Sequence, residues 1–230
     1  MGEAPPNIPM SLDTALRARR SVRGFRPDPV SPSLLKEIFT LAQLTPSNCN
    51  TQPWVPHIVS GKTLETLRAA LLAAGSADAP PAPDWKLDMR NFTGIYRTRQ
   101  VDAAVQLYSA MGIERNDLPG RRDAHLRNLA FFGAPHAVFI FMPHLFDTRE
   151  AADLGMYAQT LMLLLTSRGL ASCAQGALGL YPDIIREVLN VTSEYRLLFG
   201  ISFGYEDEAE AANQTRVGRE ALHSAVTFHE

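Results

Sequence analysis

The stretch "LGMYAQTLMLLLTSRGL", residues 154–170, decides the fold. It predicts a helix with apolar side chains almost all round, ended by Gly169, and such a helix needs cover on every side. Just before it, "HAVFIFM" (136–142) reads as a strand buried on both faces. After it, a short helix "YPDIIREVLN" (181–190) and a strand "YRLLFGISFG" (195–204) complete a core. In a chain of 230 residues, part of the cover for the long helix is expected from a second subunit.

Toward the N-terminus, Ser11 is placed to cap a helix carrying Leu12, Ala15 and Leu16, and Ser31 with Pro32 starts another bearing Leu34, Leu35, Ile38, Phe39 and Ala42. "VPHIVS" (55–60) is a strand, followed by the helix "KTLETLRAALLAAG" ended by Gly75. Residues 76–90 are rich in Pro and Ala, and two helices, about 94–110 and 120–130, come before the next strand. A flap inserted at about 76–130 of one domain spanning 1–230 accounts for this better than a domain boundary. The last segment, 206–230, is polar until "ALHSAVTF" and reads as an arm that crosses to another surface. Helices and strands do not alternate one for one, so the expected class is α+β with a mixed or mostly antiparallel sheet flanked by helices.

Composition narrows the function. A net charge of −2 argues against a nucleic-acid binder. Two cysteines far apart, Cys49 and Cys173, suggest neither a disulfide framework nor a metal knuckle, and the six histidines lack metal-ligand spacing. The longest apolar runs are too short to cross a bilayer, and the first ten residues lack a secretory pattern, so the expected location is cytoplasmic. No strand leads into a Gly-x-Gly-x-x-Gly turn, and there is no Gly-x-Ser-x-Gly elbow.

Three stretches carry the candidate chemistry. "RRSVRGF" (19–25) sets Arg19, Arg20, Ser21 and Arg23 together in a slightly acidic chain, a pattern suited to phosphate oxygens; a solvated helix end is the alternative. "TPSNCNTQPW" (45–54) places Ser47 and the amides of Asn48, Asn50 and Gln52 between Pro46 and Pro53, a loop that suits a planar heterocycle or forms an ordinary turn. "GLASCAQGALGLYP" (169–182) reads as a loop whose small residues let backbone approach a ligand, or pack tightly for its own sake. Cys173 lacks a neighbouring histidine and has apolar surroundings, against a nucleophilic role.

Taken in order with "FGISFGY" (199–205) and "NQTRVGREAL" (213–222), these stretches resemble the nitroreductase superfamily of FMN enzymes, over about residues 11–228. The resemblance implies an intertwined homodimer with two flavins at its interface. It assigns Arg19, Arg20, Ser21 and Arg23 to the FMN phosphate and ribityl chain, with Arg219 returning from the tail and Arg216 secondary. It makes Pro46, Ser47, Asn48 and Asn50, with Gln52 as a weaker contact, a loop donated by the other subunit. Gln175 and Gly176 would form the turn over the flavin ring, with the Gly176 amide facing N5.

The activity so implied is reduction of nitroaromatic compounds to nitroso and hydroxylamine products by NADH or NADPH, in alternating two-electron steps, with no side chain as nucleophile. Trp85, Phe92 and Tyr96 are candidates to stack on a small aromatic electron acceptor, and Arg97 or Arg99 to meet a nitro group or nucleotide phosphate. Quinones, flavins and activated alkenes are alternative acceptors. A deiodinase-type dehalogenase is disfavoured, because "DMRNFTGIYRTR" (88–99) offers Tyr96 without a matching Glu and Lys. A non-catalytic FMN-binding protein would show the same arginines and amides.

Overall fold

In a computed structural model, described over residues 9–86 and 88–230, four strands form one sheet in the order β1-β2-β4-β3. They are β1 (Val55–Ser60), β2 (His136–Pro143), β3 (Ala171–Gln175) and β4 (Tyr195–Gly204). Every pairing in this sheet is antiparallel, which resolves the mixed-or-antiparallel expectation. The parallel element is an isolated bridge, Ser21 to Ser172, where the arginine stretch lies along β3.

β2 shows why the fold needs two helical layers. Its side chains alternate, as strand geometry requires. Ala137, Phe139 and Phe141 enter one core cluster, while Val138, Ile140 and Met142 enter the other. The first cluster is covered by α3 (Gly61–Ser76), α5 (Leu118–Leu129) and α7 (Pro182–Leu189), through residues such as Leu64, Leu67, Leu71, Leu129 and Ile185. The second is covered by α2 (Pro32–Ala42) and α6 (Thr148–Ser167), through Ile38, Ala42, Leu154, Tyr157, Leu161 and Leu165.

The caps expected at Ser11 and Ser31 form: each hydroxyl accepts a first-turn N–H, for α1 (Leu12–Ala18) and α2 respectively. Three expectations change. α6 starts at Thr148, six residues before Leu154, because Asp147 and Glu150 form a capping box around its charged first turn. α3 runs through Gly75 to Ser76; Gly75 is a packing glycine, since a Cβ there would lie 2.3 Å from Leu129 Cδ1. The stretch at 171–175, expected as loop, is strand β3, and Gly176–Gly179 that follows is a 3-10 turn.

Within the expected flap, α4 (Gly94–Ala110) contains no buried residue, whereas α5 contributes Leu129 to the core. The chain ends in an exposed segment with one short helix, α8 (Leu222–Ala225). α6 is not fully covered within one chain: Met156 on it is 41% exposed, with Leu12 of α1 64% and Leu44 after α2 78% exposed.

Candidate functional site

The arginine stretch leaves α1 at Arg19, whose N–H still closes the helix on Ala15 O at 2.8 Å. Val22 then plugs into the core and its N–H donates to Ser172 O at 3.1 Å, so the flanking Ser21 and Arg23 remain partly accessible along the β3 edge. This extended strip is held from the other side by residues far away in sequence. Fully buried Asn213 accepts from Arg23 N–H at 2.6 Å and donates to Gly24 O and Asp207 O, both at 2.9 Å. Arg127 donates to Arg23 O at 2.9 Å while its guanidinium grips both oxygens of Glu210, at 2.6 and 3.1 Å. Gly24 is required here, because a Cβ would fall 2.2 Å from Glu210 Cγ.

Burial opposes the charge on Glu210, but hydrogen bonds from Arg127 and the Ala212 N–H, with the Arg127 charge, outweigh it and hold its carboxyl below the ordinary value. Arg20 pairs with Glu206 through Nη2, while its Nη1 is buried without a partner among the described residues. A buried guanidinium N–H without an acceptor is costly, and a phosphate oxygen is the acceptor that its geometry suits. This orphaned donor, beside Arg19, Ser21 and Arg23, fits the phosphate of FMN.

The other expected contacts are placed unequally. Arg216 donates to Asn213 O at 2.7 Å, so the residue that fixes Arg23 also fixes Arg216. Arg219 is exposed and donates to Val217 O and Gly218 O, within its own loop. Within one chain it is therefore Arg216, rather than Arg219, that the structure ties to the strip. Gln175 does not offer its side chain to a ligand: Nε2 donates to Asn128 O at 2.9 Å and Oε1 accepts from Ser202 Oγ. Gly176, next along, is exposed, with no heavy atom within 4 Å of where a Cβ would sit.

Pro46, Ser47, Asn48, Asn50 and Gln52 form a strained projecting loop. Cys49, Asn50 and Gln52 have φ of 49°, 56° and 47°, left-handed conformations that asparagine tolerates and that Cys and Gln adopt at a cost. The bonds that hold the loop are Asn48 N–H to Asp153 Oδ2 (3.2 Å), Asn50 N–H to Ser47 O (3.1 Å) and Gln52 N–H to Ser47 Oγ (2.9 Å). Asp153 is buried on α6, so the long helix positions this loop. The side chains of Asn48 and Asn50 are left exposed.

Among the residues of the expected flap, Trp85 is half-buried, its ring lies under the Arg196 guanidinium at 4.0 Å and it packs on the second core cluster. Phe92 is half-buried beside the Met89–Asn91 turn, and Tyr96 on α4 is exposed. Arg97 donates to Gln100 Oε1 at 2.7 Å. Arg99 donates to Glu220 Oε1 at 3.1 Å and so ties α4 to the C-terminal segment. Burial pushes the Cys173 thiol up, against a nucleophilic thiolate. Among the described residues no group of His, Cys, Asp and Glu is arranged to hold a metal. No described helix is long and apolar enough to cross a membrane.

The family model for the nitroreductase family matches residues 16–205. The chain belongs to the nitroreductase family. It is 38% identical to the nitroreductase NfnB of Mycolicibacterium smegmatis over 96% of this chain and 94% of that one. It is also 34% identical to a 4-nitrobenzoate reductase of Pseudomonas putida, over 94% of this chain and 95% of that one. A crystal structure of the FMN-dependent nitroreductase NfnB from Mycobacterium smegmatis, in complex with NADPH, superposes with a TM-score of 0.92, covering 95% of this chain and 97% of that one at 38% identity. The nitroreductase-like fold, an antiparallel sheet between helical layers, is thus shared with that enzyme.

Proposed function

We infer that this nitroreductase-family chain is an FMN-dependent oxidoreductase that draws electrons from NADPH or NADH and reduces nitroaromatic compounds. The observation that carries the cofactor assignment is the buried, unpartnered Nη1 of Arg20 in a strip braced by Asn213 and Arg127. When bound, FMN accepts hydride from a nicotinamide and delivers it to an acceptor, so no side-chain nucleophile is required.

The chain's own residues supply binding and orientation. Arg19, Arg20, Ser21 and Arg23 neutralise and bond the phosphate, with Arg216 of the C-terminal segment tied to them through Asn213. Their backbone is fixed before the ligand arrives, which lowers the ordering cost of binding. Gly176, lacking a side chain and facing open space, admits a flat ring up to its amide. The cavity behind the strip, lined by Arg23, Tyr108, Arg127 and Asn128, is about 80 Å³, well short of a cofactor pocket of roughly 300–1,000 Å³. In this reading the site is open on its outer side and is completed by a second wall.

A second copy of the chain is the natural wall. The rigid 46–52 loop presents Asn48 and Asn50 outward, and the exposed apolar residues Leu12, Leu16, Leu44 and Met156 flank α1 and α6. We therefore read the protein as a homodimer in which each subunit lends that loop to the other's flavin. In this reading 1–230 is one domain, α4 is the acceptor-facing flap with Phe92, Tyr96, Arg97 and Arg99, and 206–230 is a dimer-crossing arm. The unpaired cysteines and nucleotide donor fit a cytoplasmic location.

The test is product analysis. FMN-loaded protein given NADPH and 4-nitrobenzoate should yield 4-hydroxylaminobenzoate. A flavin-loaded protein that yields no reduced product from this or other nitroarenes would make it an FMN-binding module instead.

A further inference from the structure

The arginine strip and the turn at Gly176–Gly179 are both held by consecutive residues of one helix end. Arg127, two residues before the end of α5, donates to Arg23 O in the strip at 2.9 Å. Asn128 accepts at its backbone oxygen from Gln175 Nε2, also at 2.9 Å, just ahead of the turn. That carbonyl is one of the last four of α5, which the helix leaves without an internal donor, so the Gln175 amide satisfies the helix end and fixes its own side chain at once.

The helix end is itself a fixed point. Leu129 is fully buried, and Arg68 of α3 donates from Nε to Ala130 O at 3.3 Å and from Nη2 to Ala134 O at 3.0 Å. Between those carbonyls Phe131 and Phe132 have φ of 57° and 52°, left-handed conformations that bulky residues adopt only at a cost. Packing enforces them: the Phe131 ring sits edge-on to Phe139 of β2 and beneath the Arg68 guanidinium.

Ser202 completes the clamp. It is fully buried on β4, and its hydroxyl donates to Gln175 Oε1. The Asn128 carbonyl only accepts, so it fixes which end of the Gln175 amide is the NH2 and leaves Oε1 for the hydroxyl. The last residue of β3 is thus held from the inside, while the next, Gly176, is exposed. The turn is also pressed onto β4: a Cβ at Gly200 would lie 2.6 Å from Leu178 Cδ1, and one at Gly179 would lie 3.1 Å from Leu198 O. As the first residue of the turn, Gly176 carries an N–H that the turn itself does not use.

We propose that Gln175 and Ser202 are positioning residues that set the direction of the Gly176 N–H toward the flavin ring. The proposal rests on the flavin reading above. Both ends of the Gln175 amide are spent inside the protein and Ser202 has no exposed surface, so their contribution is direction and not contact. Direction matters because a hydrogen bond weakens steeply as its angle closes, and hydrogen bonds to the ring nitrogens tune a flavin. The shared support of Arg127 and Asn128 also sets the spacing between the phosphate strip and the turn.

The probe is FMN labelled with nitrogen-15 at N5, bound to the wild type, Ser202→Ala and Gln175→Glu. Ser202→Ala leaves Gln175 Oε1 without its donor, and Gln175→Glu sets a carboxylate oxygen against Asn128 O. Ile38→Val on α2, in the other core cluster, controls for a similar loss of general stability. Both site variants should displace the N5 resonance from its wild-type position and lower FMN affinity about three- to tenfold, the worth of one hydrogen bond, while Ile38→Val matches the wild type. Should Gln175→Glu not fold, Ser202→Ala decides. A wild-type N5 resonance in the site variants would overturn the proposal, as would an equal displacement in Ile38→Val. A wild type that takes up no FMN would instead overturn the cofactor reading, and the proposal with it.

Discussion

Asn213 spends its whole side-chain amide on the backbone of Arg23, Gly24 and Asp207, so its value to the site is the shape of the strip rather than contact with a ligand. Replacing Arg20 and Arg23 together with Ala removes charge-assisted bonds worth about 1.5–3 kcal/mol each. FMN affinity should fall by two orders of magnitude or more, measured by flavin retention on gel filtration; full retention would refute the phosphate assignment. Glu210 gives a pH signature. Its folded pKa is depressed, so its stabilisation is present above the unfolded value and is lost as pH falls through the folded one. Urea midpoints of the wild type and Glu210→Gln should differ at pH 7 and converge as pH falls through the depressed folded value, below the ordinary carboxylate range. The arginines were legible because they are dense in an acidic chain. Asn213 and Glu206 were not, because each is an ordinary polar residue 190 or 186 positions from its partner.

At the scale of elements, the apolar periodicity of β2 and β4 and the Ser11 and Ser31 caps were readable because burial and capping leave local signatures. β3 was not: "ASCAQ" (171–175) has neither large apolar residues nor clean alternation, and it is a strand because β4 offers Gly200–Gly204 beside it. The first turn of α6 was missed for a related reason, since its start is set by the Asp147–Glu150 box and not by an apolar stripe. The same helix controls the 46–52 loop through Asp153. Asp153→Ala should leave the Asn48 N–H without its acceptor, speed amide exchange there and lower FMN affinity about tenfold, with helix content unchanged. Unchanged exchange at Asn48 would show that the loop holds its shape unaided.

For the whole molecule, the exposed apolar residues on α1 and α6 support the proposal that the working unit contains two chains. Sedimentation should give a species near twice 25.3 kDa, and a flavin-loaded monomer would contradict the shared site. The acidic residues that brace the strip, Glu206 and Glu210, also explain how an overall charge of −2 coexists with the proposed phosphate site, because positive charge is concentrated locally and held by pairing. The most direct test of the central claim is an anaerobic absorbance titration of the purified protein with NADPH and NADH, followed by 4-nitrobenzoate. A flavin band near about 450 nm that at least one nucleotide bleaches and the nitro compound restores is the predicted result. A protein that stays colourless after FMN is added, or a yellow one that neither nucleotide bleaches, would contradict it.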